Sequence, residues 1–165
     1  MLEWENNREC MGQYEPLIQQ TKADLEKTYA EQKDAQWFFI EKKDGTKIGS
    51  ISHFLSAGEV ELGYFITSTE RRKGFATEAI TLMVDYLFLS REIIRIQAKA
   101  DPENIASWKA LEKAGFKREG VLRKTFYCRG KWRDDCMYSI LKEEWRTPRT
   151  LAATSQNQNR MDSQT

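Results

Sequence analysis

The segment from Arg71 to Glu78 constrains the fold most, because a strand-like run precedes it and a long apolar helix pattern follows it. The run before it is 60–66 (VELGYFI), and the helix pattern covers 76–89. Gly74 has no Cβ and Ala76 has a small side chain, so a charged ligand can approach the backbone closely. The first amides of a helix lack internal partners and lie at the positive end of its dipole. A strand, a basic turn and a helix in this order predict a phosphate or pyrophosphate site. The alternative is a solvated basic turn that opens an ordinary helix.

Length and composition favour one globular domain without a metal. The chain has 165 residues, of which 40% are hydrophobic and 31% are charged, and its formal net charge of +1 gives no reason to expect nucleic acid or a membrane surface. Cys10, Cys128, Cys136 and the single histidine, His53, are not at metal-ligand spacing. Cys128 and Cys136 are candidates for neighbouring strands, but we expect free thiols. No run of 18 apolar residues and no signal peptide is visible, which favours a cytoplasmic protein.

Periodicity and turn signals predict alternating strands and helices. The predicted elements are a helix over 15–32, strands over 36–42, 47–54 and 59–67, a helix over 75–89, a strand over 93–98, a helix over 105–114, and strands over 116–128 and 134–141. Residues 1–14 show no clean period and are expected to be irregular. Residues 1–146 then form a single domain, and the polar segment 147–165 is expected to be a disordered tail.

The central segment resembles a known cofactor loop. The pattern Arg71-x-x-Gly74-x-Ala76 after a strand is similar to the acetyl-CoA pyrophosphate loop of the GNAT family of N-acetyltransferases, whose pattern is Gln/Arg-x-x-Gly-x-Gly/Ala. The residues directly after this pattern, and several runs later in the chain, resemble the RimJ/RimL-like branch of that family. These runs are 77–79 (TEA), 104–108 (NIASW), 112–116 (EKAGF) and 119–120 (EG). The resemblance covers about 41–145, and two separate motifs in the right order make it specific.

The resemblance implies an α+β (α/β GNAT) fold, with a mixed, mainly antiparallel sheet, helices on both faces and acetyl-CoA between splayed strands. One departure concerns the N-terminus, where the family's opening strand is not visible. Either the N-terminus is shortened, which leaves the next strand as a sheet edge for a partner chain to cover, or Leu2 to Trp4 form a short version of that strand. We therefore expect a monomer or a homodimer.

The resemblance also implies how acetyl-CoA, as a co-substrate without a metal, is bound. The backbone of the strand before the loop would hold the pantetheine, and one of its amides would polarise the thioester carbonyl. The implied cofactor-binding residues are Tyr64, Phe65, Ile66, Arg71, Arg72, Lys73, Gly74, Phe75, Ala76, Thr77, Asn104 and Ser107.

Asn104 and Ser107 each have two interpretations. Asn104 is either only the cap of the helix after it or also a contact to the pantetheine arm. Ser107 is either an ordinary first-turn residue or, as the resemblance implies, a proton donor near the thiol.

The general base is harder to assign. Glu61 lies on the same strand face as Gly63 and Phe65, where GNAT enzymes often use a glutamate that relays a proton through water. A solvated carboxylate is the alternative. Tyr127 and Tyr138, on late strands, are further candidate acids, although tyrosine on a strand is usually packing.

The predicted function is acetyl-CoA-dependent N-acetylation of a primary amine by direct attack in a ternary complex. RimJ/RimL-like proteins acetylate N-terminal amines of ribosomal proteins, whereas near relatives acetylate polyamines, antibiotics or amino-acid-like metabolites. Asp134 and Asp135 in the last hairpin would attract a cationic amine or are simply turn residues. A non-catalytic acyl-CoA-binding module is the remaining alternative. The expected partners are acetyl-CoA and an amine acceptor, with no nucleic acid and no membrane.

Overall fold

A computed structural model describes residues 1–16, 18–32, 34–56, 59–145 and 148. The strands are β1 (Ala35–Glu41), β2 (Lys47–Ser56), β3 (Glu59–Ile66), β4 (Arg95–Ala100), β5 (Lys117–Cys128) and β6 (Lys131–Leu141). The helices are α1 (Leu2–Glu5), α2 (Arg8–Met11), α3 (Lys22–Glu31), α4 (Phe75–Ser90) and α5 (Ile105–Ala114), with a 3-10 turn at Ser68–Glu70. The six strands form one sheet in the order β1-β2-β3-β4-β6-β5. Only β3 and β4 run parallel, which confirms the predicted mixed, mainly antiparallel sheet.

Helices α4 and α5 pack together on one face of this sheet. Helix α4 is the crossover that a parallel pair of strands requires, and it links β3 to β4. Its side chains Ile80 and Leu87 are fully buried, as are Ile96 of β4 and Leu111 of α5. Each such side chain contributes about 1.5–3 kcal/mol when it is removed from water. This single core fixes the ends of α4 and α5 relative to β3.

The opposite face of the sheet is covered near β1 by α1 and α3. The ring of Trp4 lies 6.2 Å from that of Phe39 and 6.1 Å from that of Phe65. The ring of Tyr29 in α3 lies 4.7 Å from that of Trp37. Since successive side chains on a strand point to opposite faces, these contacts place α1 and α3 away from α4. The prediction of helices on both faces is confirmed.

The helix predicted over 15–32 is shorter than expected, because α3 begins at Lys22. A reciprocal capping box sets this start: the Asp24 amide donates to Thr21 Oγ1 at 3.2 Å, and the Thr21 amide donates to Asp24 Oδ2 at 2.9 Å. The prediction gave more weight to Pro16 as a helix start than to this pair.

The irregular N-terminus predicted for 1–14 contains two one-turn helices, α1 and α2. The interpretation in which Leu2 to Trp4 form a strand is wrong, since these residues lie in or next to α1. Among the described residues no strand precedes β1, and β1 is an edge of the sheet. A partner chain that covers this edge stays a prediction.

The remaining predicted elements agree with the structure to within three residues. The last hairpin is tighter than predicted, with β6 starting at Lys131 after Arg129 and Gly130, both of which have positive φ. Cys128 lies opposite Lys131 and Cys136 lies opposite Val121, and both thiols are free. The predicted tail 147–165 lies outside the described residues, apart from Pro148. Within the described residues, no helix is both long and apolar enough to span a bilayer.

Candidate active site

Strands β3 and β4 separate from each other partway along β3. Their pairing joins Val60 to Ile96 and ends where Leu62 faces Ala98. Strand β3 continues to Ile66, and there it pairs only with β2. The backbone polar groups of 63–66 that face away from β2 have no β4 partner; the Ile66 carbonyl accepts from Arg71, and the others are positioned to bind a ligand. This gap has the geometry predicted for holding an extended pantetheine chain.

A cleft of about 640 Å³ extends from the gap. Its walls come from segments 11–15, 64–66, 70–77 and 104–113. All the predicted cofactor-binding residues except Lys73 line it. The Lys73 side chain instead pairs with Glu70, with Nζ 3.1 Å from Oε2. The structure therefore brings together the motif at 71–77 and the motif at 104–108, which lie about 30 residues apart in the sequence.

The phosphate end of the cleft is the start of α4. Gly74 precedes the helix with φ 89°, a left-handed conformation that favours glycine, and in the described part of the chain no side chain caps the first helical amides. A Cβ placed at Gly74 would have no atom within 4 Å, so the space in front of these amides is open. An oxyanion in that space would meet uncapped amides at the positive end of the helix dipole.

The Arg71 guanidinium already binds backbone carbonyls. Its Nε donates to the carbonyl of Ile66 at 2.9 Å, and its Nη2 donates to the carbonyls of Cys10 at 2.6 Å and Met11 at 3.2 Å. Arg71 thus ties the end of β3 to residues 10–15, which we call the N-terminal strap. If Arg71 also contacts a phosphate as predicted, it would use the same guanidinium group that makes these hydrogen bonds.

A second arginine holds the other end of the N-terminal strap. Arg129, after β5, donates from Nη2 to the carbonyl of Gly12 and from Nε to the carbonyl of Glu15 at 3.2 Å. The Tyr14 hydroxyl donates to the carbonyl of Glu103 at 2.8 Å. The strap is therefore held to the rest of the protein at several points, and it brings Glu15 into the cleft lining. No local sequence signal marks these contacts, which join residues 60 to 117 positions apart.

Tyr64, Ser107 and Asn104 form a hydrogen-bonded group in the middle of the cleft. The Tyr64 hydroxyl lies 2.7 Å from Ser107 Oγ and 3.1 Å from the Ser107 carbonyl oxygen. The Ser107 amide donates to Asn104 Oδ1 at 3.2 Å, so Asn104 caps α5 as predicted. Burial raises the pKa of Tyr64 to about 12, and it therefore stays protonated at neutral pH. The Tyr64 side chain thus packs against the buried core and also orients the Ser107 hydroxyl.

The predicted base, Glu61, does not line the cleft. It accepts hydrogen bonds from Gln97 Nε2 at 3.3 Å and from Lys99 Nζ, which lies 3.0 Å from Oε2 in the ion pair. Tyr138 is buried in the core, and Tyr127 packs edge-on against Trp132 with ring centroids 5.8 Å apart. The catalytic role of Glu61 stays a prediction, and the ion pair gives its carboxylate a structural partner.

Glu15 is the carboxylate that sequence reasoning did not identify. Burial raises its pKa, with Arg71 opposing and Asp135 adding to the rise. Asp135 is itself buried and accepts from Thr125 Oγ1 at 2.9 Å. Asp134 instead accepts from the Lys124 amide at 2.9 Å, across the irregular part of the β5–β6 ladder, so it is not the turn residue considered as the alternative. The two hairpin aspartates, predicted as a pair, therefore have different surroundings.

Among the described residues, no three His, Cys, Asp or Glu side chains converge on a point where a metal ion could bind. That no metal takes part stays a prediction.

Two solved structures show the same fold. A spermidine N-acetyltransferase from Vibrio cholerae, in complex with CoA and spermine, superposes with a TM-score of 0.78 at 24% identity, and the match covers 88% of this chain and 90% of that one. RimJ from Mycobacterium smegmatis, in complex with CoA-disulfide, gives a TM-score of 0.67 at 29% identity and covers 74% of this chain and 60% of that one. The predicted GNAT fold is confirmed.

Sequence relatives agree with the structural match. A curated relative from Bacillus subtilis (strain 168), the probable N-acetyltransferase YjcK, is 36% identical over 119 residues, which are 68% of this chain and 66% of that protein. The aligned regions span 49 to 66% of the first three curated relatives. The family described as "Acetyltransferase (GNAT) domain" matches residues 1–117. The chain therefore belongs to the GNAT acetyltransferase family.

Proposed function

We propose that this protein is an acetyl-CoA-dependent N-acetyltransferase that transfers an acetyl group to a primary amine. The observation that supports this most is the single cleft that runs from the uncapped start of α4, past the unpaired end of β3, to Ser107. A pyrophosphate, a pantetheine arm and a thioester fit these three parts in that order. Membership of the GNAT family supports the same activity.

The cleft residues would have distinct roles in binding acetyl-CoA and in the reaction. The amides that follow Gly74 bind the pyrophosphate, with Arg72 adding charge at the rim. The backbone of 64–66 holds the pantetheine, and one of its amides donates to the thioester oxygen as negative charge develops there. Ser107 donates a proton to the leaving thiolate. The Tyr64 hydroxyl, 2.7 Å from Ser107 Oγ, would orient this side chain.

The acceptor class is the finer part of the proposal. A protein N-terminal α-amine is the first candidate, because of the RimJ/RimL-like motifs and the RimJ match at 29% identity. An α-amine has a pKa near 8 and is partly neutral at physiological pH, so it needs little help to attack. A cationic small-molecule amine is the second candidate. The carboxyl group of Glu15, which lines the cleft and whose pKa is raised mainly by burial and further by Asp135, favours it.

The test is amine-dependent release of CoA thiol from acetyl-CoA by the purified protein. The panel contains a peptide with a free N-terminus, the same peptide with a blocked N-terminus, and spermidine. Release with the free peptide alone supports the first candidate, and release with spermidine alone supports the second. Tight acetyl-CoA binding without release for a wide amine panel would contradict the enzyme proposal and favour a binding module.

A further inference from the structure

We propose that the Glu15 carboxylate is the general base that takes the proton from the acceptor ammonium group. This inference rests on the proposed function and adds a catalytic residue to it. The step needs a carboxylate inside the cleft, near the place where the thioester is attacked, with no other cation bound to it.

The cleft has two acidic side chains in its lining, Glu15 and Glu70. Glu70 is neutralised by two lysines, with Oε2 3.1 Å from Lys73 Nζ and Oε1 3.7 Å from Lys42 Nζ. No described residue forms a hydrogen bond or an ion pair with the carboxylate of Glu15 within bonding distance. Of the two, Glu15 is therefore the one whose carboxylate is available to a substrate cation.

Backbone contacts hold Glu15 in place. Arg129 binds its carbonyl oxygen, and the Tyr14 hydroxyl anchors the preceding residue to the carbonyl of Glu103. Both ends of the strap are thus fixed to loops that adjoin the cleft. A base has to be held within reach of the proton it removes, and these bonds supply that restraint without using the carboxylate.

The charged and titratable groups that face Glu15 favour proton uptake. Burial and Asp135 raise its pKa, whereas the Arg71 guanidinium opposes the rise. Burial is the main cause of the raised pKa of Tyr64 and of Cys128, and the Glu15 charge adds to both. A carboxyl group that binds a proton more readily than usual is a stronger base, and Glu15 lines the same cleft as Tyr64 and Ser107.

The proposed step balances as follows. The ammonium group gives one proton to Glu15, and the neutral amine attacks the thioester carbonyl carbon. The tetrahedral intermediate collapses, the C–S bond breaks, and the thiolate receives a proton through Ser107 as the new amide nitrogen loses its second proton. The products are the acetylated amine and CoA thiol, and the proton on Glu15 returns to solvent.

The experiment measures kcat/KM for Glu15→Gln against pH, with acetyl-CoA affinity measured alongside by calorimetry. We expect kcat/KM at neutral pH to fall about 100-fold or more, with unchanged acetyl-CoA affinity. The loss should shrink as the pH approaches the pKa of the acceptor amine, and it should be small for an acceptor whose amine is already neutral. Glu9→Gln, an exposed carboxylate in the same N-terminal region, is the matched control and should keep the wild-type profile.

Two results would overturn the inference. One is a wild-type pH profile for Glu15→Gln, and the other is a loss confined to Glu61→Gln, which would transfer the role to Glu61. If Glu15→Gln fails to fold, Glu15→Asp keeps a carboxylate, and it should retain the acidic limb of the profile with a lower plateau; loss of that limb would contradict the proposal. Absence of any amine-dependent turnover in the wild type would instead remove the proposed function itself.

Discussion

The two ends of the cleft are built in different ways. The phosphate end is local: a strand, a turn with one left-handed glycine and a helix start lie within 60–78. The strap end is assembled from distant parts of the chain. Arg71, in the turn before α4, and Arg129, after β5, hold residues 10–15 by their carbonyl oxygens. A local site depends on backbone conformation, whereas an assembled one depends on individual side chains. The two ends should therefore respond differently to substitution.

The largest effect on turnover is expected at Ser107, where the two ends meet. Ser107→Ala removes the proposed proton donor and should lower kcat by about 100-fold, while acetyl-CoA affinity changes little. Steady-state kinetics and calorimetry separate the two quantities. Ser90→Ala, at the exposed end of α4, is the control. An unchanged kcat for Ser107→Ala would return this residue to its role as an ordinary first-turn residue.

Arg71→Lys separates the positive charge of Arg71 from its hydrogen bonds to the N-terminal strap. Lysine keeps the positive charge but lacks the planar guanidinium, whose Nε and Nη2 reach carbonyls on β3 and on the strap at the same time. If these hydrogen bonds matter more than the charge, the free energy of unfolding should fall by about 2–3 kcal/mol in urea denaturation. Arg72→Lys, with no comparable hydrogen bonds in the described part of the chain, should change it by less than about 0.5 kcal/mol. Equal stability of both variants would show that the strap is not held by Arg71.

Tyr64→Phe removes one hydroxyl and keeps the ring. We expect a loss of about 1 kcal/mol in unfolding free energy. We also expect kcat to fall by about tenfold, because Ser107 loses the partner that orients it. A fall as large as that of Ser107→Ala would instead make Tyr64 the proton donor.

Glu15→Gln should have a small effect on the free energy of unfolding. The effect should be stabilising, whereas Arg71→Lys and Tyr64→Phe are expected to destabilise the protein. The raised pKa of Glu15 means that folding disfavours its ionised form. Its protonated form contributes stability fully below the ordinary pKa of 4.5, and that contribution is lost as the pH rises through the raised value. At neutral pH the variant should therefore be more stable than the wild type by an amount on the order of 1 kcal/mol. The gap should close on acidification; a gap that widens would contradict the assigned direction.

The sequence could predict what is encoded locally. Gly74 and Asn104 act where their neighbours indicate, at the start of α4 and α5. The Thr21 capping box was equally local, but Pro16 offered a competing start. The bonds from Arg71 and Arg129 to the strap cannot be read from the sequence, because any arginine can bind a carbonyl oxygen that folding brings near. Glu15 was therefore placed in a helix, and its position in the cleft could not be foreseen.

Calorimetric titration of acetyl-CoA into three proteins tests the central claim most directly. These are the wild type, Gly74→Glu and Gly45→Glu. Both glycines have similar positive φ, 89° and 85°, and an added Cβ has no atom within 4 Å at either. The two variants thus carry similar backbone strain, but only Gly74→Glu places a negative charge in front of α4. We predict that the wild type and Gly45→Glu bind acetyl-CoA and that Gly74→Glu does not. Binding of equal affinity by all three would contradict the assignment of the cleft.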